Sequence, residues 1–70
     1  MNRALAVWRE LDAAYEARTP MPSMRELCAA CGLSSTSVVR YNLDILEREG
    51  IITRAPGKAR SITLVQRFGA

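Results

Sequence analysis

Histidine is absent from this chain, lysine occurs once, at Lys58, and aromatic residues make up 6%. Each shortage closes a class of chemistry. Without imidazole, the commonest general base and metal ligand are missing. The two cysteines, Cys28 and Cys31, lack the further ligands that a four-coordinate zinc requires. A thioredoxin-type pair would open a helix after a strand, whereas this pair lies inside a helical pattern. We read both as small thiols filling a helix–helix contact. No glycine-rich phosphate loop occurs, and no base stands beside a candidate nucleophile. No catalytic residue, metal ligand or cofactor is therefore expected. A run of about 18 apolar residues is also lacking, which argues against a membrane span. Arg9, Glu10 and Asp12 interrupt any signal-peptide core at the start of the chain. The expected location is the cytoplasm.

What is present is an ordinary globular composition, 49% hydrophobic and 24% charged over 70 residues. Such a length predicts one domain, 1–70, burying about 60% of its unfolded surface. The net charge of +3 is unevenly placed. Arg3, Arg9, Arg18 and Arg25 balance Glu10, Asp12, Glu16 and Glu26, so residues 1–33 are neutral. From Arg54 onward stand Arg54, Lys58, Arg60 and Arg67 with no acid. One-sided positive charge suits a polyanionic partner, or is a solvated basic tail.

The periodicity predicts three helices and a hairpin. Over residues 2–18, Ala4, Val7, Trp8, Leu11, Ala14 and Tyr15 recur at helical spacing and share a face. Pro20 and Pro22 push the preceding residues into extended conformation and stop the helix near Arg18. Ser23 and Glu26 form an S-x-x-E capping box for a second helix, 23–31. Its Met24, Leu27, Ala30 and Cys31 are expected to face inward, and Gly32 to end it in left-handed conformation. Leu33 then drops into the core. Ser34 or Ser35 caps a third helix, 35–49, with Val39, Leu43 and Leu46 as its buried stripe and Gly50 as its stop. The β-branched runs 51–54 and 60–65 flank Ala55-Pro56-Gly57-Lys58-Ala59 and predict a wing hairpin over 51–65, followed by a tail, 66–70. Ile52, Ile62 and Leu64 would lean on the helices. The fold expected is mainly α with a small β-hairpin, a three-helix winged helix-turn-helix.

Such a turn between two helices is the unit that places one of them in a DNA major groove. Opposite the buried stripe of the third helix lies a row of Ser37, Val38, Arg40, Tyr41, Asp44 and Ile45. The open amides and positive dipole end of that helix attract a phosphate. Ser34, Ser35, Thr36 and Ser37 are short enough to approach backbone or base edges. Arg40 has the reach for guanine O6 and N7 as a bidentate pair, and Val38 and Tyr41 for thymine methyl groups. Arg54, Lys58 and Arg60, around the wing, would meet flanking phosphates or the minor groove. Alternatives stand beside each assignment: the serines cap, Arg40 pairs with Asp44 four residues on, and Tyr41 is a surface aromatic.

Pro22-Ser23-Met24-Arg25-Glu26-Leu27, Cys31-Gly32-Leu33-Ser34-Ser35-Thr36-Ser37-Val38-Val39 and Leu43-x-x-Leu46-Glu47-Arg48-Glu49-Gly50-Ile51-Ile52-x-Arg54-x-Pro56, continuing through Ala59-Arg60-Ser61-Ile62, resemble the N-terminal DNA-binding domain of LexA-type SOS repressors. The resemblance implies a winged helix whose third helix enters the major groove. Ser35, Ser37, Val38, Arg40 and Tyr41 would then take base- and phosphate-contacting places, with the wing beside the backbone. The family's second domain, which supplies dimerisation and Ser/Lys self-cleavage, has no counterpart in these residues, so cleavage-triggered release is not implied. Val38, Arg40, Tyr41 and Asn42 differ from the family's usual small and His/Gly choices, so an SOS-type operator is not implied either.

The expected function is sequence-specific binding of double-stranded DNA for transcriptional regulation, as a repressor, without a membrane partner. A second copy on a palindromic site, or another protein, would dock through Ile45. The competing readings are a winged-helix adaptor or anti-repressor using the Val38, Tyr41 and Ile45 face, and an architectural binder without sequence preference.

Overall fold

The computed structural model describes residues 3–55 and 62–66. Helix α1 spans Arg3–Ala17, α2 Met24–Cys31 and α3 Thr36–Arg48; strands β1, Ile52–Thr53, and β2, Thr63–Leu64, follow. Three helices and an antiparallel two-stranded ladder make the winged helix-turn-helix. Val7 and Leu11 of α1, Leu27 of α2, Val39 and Leu43 of α3 and Ile52 of β1 are fully buried against one another. Each such side chain contributes about 1.5–3 kcal/mol on removal from water. The hairpin register pairs Ile52 with Leu64 and Thr53 with Thr63. Side chains alternate across a strand, so the apolar pair faces the helices and the threonines face out.

Among the described residues the ladder is two residues long on each side. After Leu64 the amides of Val65 and Gln66 both donate to the Ile51 carbonyl, at 2.8 and 3.1 Å. The strand thereby closes onto the end of α3 and leaves its ladder. The Gln66 carbonyl accepts from Trp8 Nε1 at 2.9 Å, tying this end of the hairpin to α1. Trp8 thus packs its ring beside the core while its one polar atom is satisfied.

All three helices end in the same hydrogen-bond pattern. The residue after the last turn donates to the carbonyl three back, and its successor to the carbonyl five back. The pairs are Arg18 to Tyr15 and Thr19 to Ala14, Gly32 to Ala29 and Leu33 to Cys28, and Gly50 to Glu47 and Ile51 to Leu46. This is the Schellman motif, which requires a left-handed residue at its centre. Gly32 and Gly50 supply it at φ 66° and 76°; Arg18 supplies it at φ 59° despite its Cβ. In the two glycine cases the next residue, Leu33 or Ile51, packs against the core. The start of α2 is equally specified: the Ser23 amide donates to Glu26 Oε1 at 2.8 Å, and the Glu26 amide donates to Ser23 Oγ at 3.2 Å.

Two residues expected inside lie outside. Ala30 is exposed: at about 100° per residue, Met24, Cys28 and Cys31 fall to one side of Leu27 and Ala30 to the other. Tyr15 is 50% exposed although it continues the α1 stripe. It lies one turn past Leu11, the last buried residue of that helix, where the stripe outruns the core. Cys28 and Cys31 are half-buried free thiols packed against the core. Burial, then the negative charge of Glu10, then Cys28 push the Cys31 thiol above its ordinary pKa.

Three outcomes follow. Arg18→Gly removes the Cβ penalty of a left-handed residue and should raise unfolding stability by about 1 kcal/mol, measured by denaturant titration in high salt, where the favourable charge–dipole contact of Arg18 is screened. Gly50→Ala should lower it by a similar amount; a Cβ there meets nothing within 4 Å, so the loss is conformational. In a Cys28→Ala background, Cys31 should react with iodoacetamide at pH 8 more slowly than a small free thiol, because the raised pKa lowers its thiolate fraction.

Candidate nucleic-acid interface

Helix α2, the four residues 32–35 and α3 form the helix-turn-helix. Burial of Val39, Leu43 and Leu46 fixes the rotation of α3 about its axis. Ser37, Arg40, Tyr41 and Asp44 are thereby turned to solvent, beside the exposed Ser34, Ser35 and Thr36. Ser35 occupies the N-cap position, but its side chain makes no capping bond. No acidic residue stands in the first turn. The leading amides and the positive dipole end of α3 therefore face solvent without a side-chain acceptor of their own from Ser35 and without a neutralising carboxylate, the arrangement that suits an anion.

Arg54 folds back onto α3. Its Nε donates to Glu47 Oε1 at 3.1 Å, and Nη2 donates to the same oxygen at 2.8 Å and to Asp44 Oδ1. The guanidinium side chain is only 20% exposed. Desolvation lowers its pKa, but the hydrogen bonds it donates to Asp44 and Glu47 and their charges outweigh burial, and the net direction is upward. Asp44 is thus taken by Arg54 and not by Arg40, four residues before it. Among the described residues, Arg40 is exposed and forms no ion pair with Asp44 or Glu47.

The apolar row on α3 divides. Tyr41 is 64% exposed. Val38 is half-buried, and Ile45 is half-buried and packed against the core. Ile45 leans on the core from the Asn42 side of α3, about 60° around the helix from that buried residue. Asn42 is buried and its Nδ2 donates to the Val38 carbonyl at 2.8 Å, a bond within the helix that satisfies its amide. Lys58 and Arg60, with the Pro56-Gly57 turn, lie outside the described residues. Sequence reasoning missed the Arg54 clamp, since its partners stand seven and ten positions away and no local spacing rule joins them.

The family model described as LexA DNA binding domain matches residues 2–61. A LexA repressor of Clostridium botulinum is 54% identical over 44 residues, covering 63% of this chain and 22% of the relative. One from Clostridium acetobutylicum is 53% identical over 45 residues, covering 64% and 22%. A third, from Clostridium kluyveri, is 36% identical over 66 residues, covering 94% of this chain and 33% of the relative. The chain therefore spans between about a fifth and a third of the length of these relatives. With the winged helix-turn-helix in place and nearly the whole chain matched, this protein belongs to the LexA DNA-binding domain family.

Proposed function

We propose that this chain binds double-stranded DNA sequence-specifically and represses transcription, with α3 in the major groove and the wing beside the backbone. The observation that carries this reading is the outer face of α3. Arg40 stands there without a carboxylate partner among the described residues, one turn from exposed hydroxyls and a helix end open to phosphate. Arg40 has the fork geometry for guanine O6 and N7. Ser34, Ser35, Thr36 and Ser37 serve as phosphate and base-edge contacts, Val38 and Tyr41 as thymine-methyl contacts, and Lys58 and Arg60 as wing contacts to the backbone or minor groove. The names of the relatives, all LexA repressors, support repression as the outcome.

A single winged helix covers one half-site, and two copies on a palindrome would give the affinity that a regulator needs. No helix among the described residues is long and apolar enough to cross a membrane. The proposed setting is the cytoplasm, beside the DNA. The chemistry proposed is binding without catalysis.

Selection from random duplexes should enrich one site, and its symmetry reports how many copies bind. On that site Arg40→Ala should lose discrimination at one base position by roughly 1–3 kcal/mol. Lys58→Ala should weaken all duplexes alike and flatten the salt slope by about one unit. A chain that binds no duplex at low salt would overturn the reading.

A further inference from the structure

Arg40, Asp44 and Glu47 stand at i, i+4 and i+7 on α3 and so form one row on its exposed side. That order carries a built-in conflict. Asp44 is within reach of Arg40 as its helical partner, and an arginine held by a carboxylate has fewer N–H groups for a base. Two free carboxylates on the same row also repel phosphates, and at 0.1 M salt such repulsion acts over about 10 Å.

We propose that Arg54 is a positioning residue for this interface: by claiming Asp44 and Glu47 together, it leaves Arg40 unpaired and offsets part of the negative charge on the row that faces the partner. The inference rests on the DNA reading above. Its geometric basis is the shape of the contact. Nε and Nη2 converge on Glu47 Oε1 while Nη2 also meets Asp44 Oδ1, so one planar guanidinium serves carboxylates a turn apart. A lysine ammonium, a single point of charge on a flexible stem, lacks this fork. Arg54 directly follows β1, whose Ile52 is fully buried, so its backbone is held against α3 by the core. The clamp therefore also anchors the base of the wing to the reading helix. Arg54 acts through α3 and makes no phosphate contact itself.

The test is a charge-rescue series on the 70-residue chain, using the duplex enriched by selection and the same duplex changed at the base read by Arg40. Arg54→Ala should weaken binding to the enriched duplex about tenfold at low salt, with the loss shrinking as salt screens the exposed carboxylates. It should also narrow the discrimination between the two duplexes. The triple variant Arg54→Ala, Asp44→Asn, Glu47→Gln should return to within about twofold of the parent chain, with the same salt slope; a lost phosphate contact would lower that slope by about one unit. Recovery of affinity with an unchanged slope supports the proposal, since removing carboxylates can restore affinity but cannot restore the counterion release of a lost Arg54–phosphate contact. A triple variant as weak as Arg54→Ala, or an Arg54→Ala chain that binds like the parent, would overturn it. Circular dichroism melts accompany each variant. If Arg54→Ala does not fold, Asp44→Asn, Glu47→Gln with Arg54 intact decides the matter: binding as tight as the parent or tighter supports the proposal, and weaker binding sinks it. Failure of the parent chain to bind any duplex refutes the DNA reading and the proposal with it.

Discussion

The structure depends on the burial of one stripe of α3. Val39, Leu43 and Leu46 pack with Val7, Leu11 and Leu27, and that contact sets the rotation of α3 about its own axis. Once these three point inward, Ser37, Arg40, Tyr41 and Asp44 have no choice but to point outward, because side-chain directions on a helix are rigidly coupled. The candidate interface is thus the reverse side of the core. A change that rolled α3 by one residue would bury Arg40 or expose Leu43, and the apolar burial opposes both.

The connections keep that rotation from drifting. Each helix ends in a Schellman turn, and in two of them the following residue, Leu33 or Ile51, inserts toward the core. Helix ends of this kind fix where the chain leaves as well as where the helix stops. Ile52 then buries itself at the far end of α3, and Trp8 reaches across to Gln66, so the hairpin is held from both α3 and α1. A two-stranded ladder this short has little stability alone. Here it is a coat on the helices, and Arg54 can reach α3 because the coat is fastened there.

Much of this was legible in the residues. Ser23 with Glu26 announced the start of α2, and Gly32 and Gly50 announced two helix ends, since each signal is local chemistry between residues at most five apart. The α3 stripe was legible for a similar reason, because angle around a helix follows from spacing. Depth did not follow from spacing. Ala30, Tyr15 and Ile45 all sat at plausible angles, yet two are exposed and the third leans on the core. How far a partner helix extends, and which flank of a stripe it covers, are properties of the neighbouring element. Arg18 showed the limit from the other side: the prolines explained that α1 stops, but a non-glycine residue in left-handed conformation carries no sequence signature.

Composition and local pattern settled the class of fold, the helix-turn-helix, the hydroxyl-rich start of α3 and the presence of Arg40 on its outer row. Those properties rest on spacing, capping and backbone preference, which act within a few residues. Whether Arg40 is free rested on packing. Its neighbour Asp44 had three cations to choose between, Arg40 four residues before it, Arg48 four residues after it and Arg54 ten residues after it, and the two near pairings were the ones the helix alone offered. Folding of the hairpin against α3 brought the distant guanidinium to both carboxylates, and ion pairing follows proximity in space rather than in the chain.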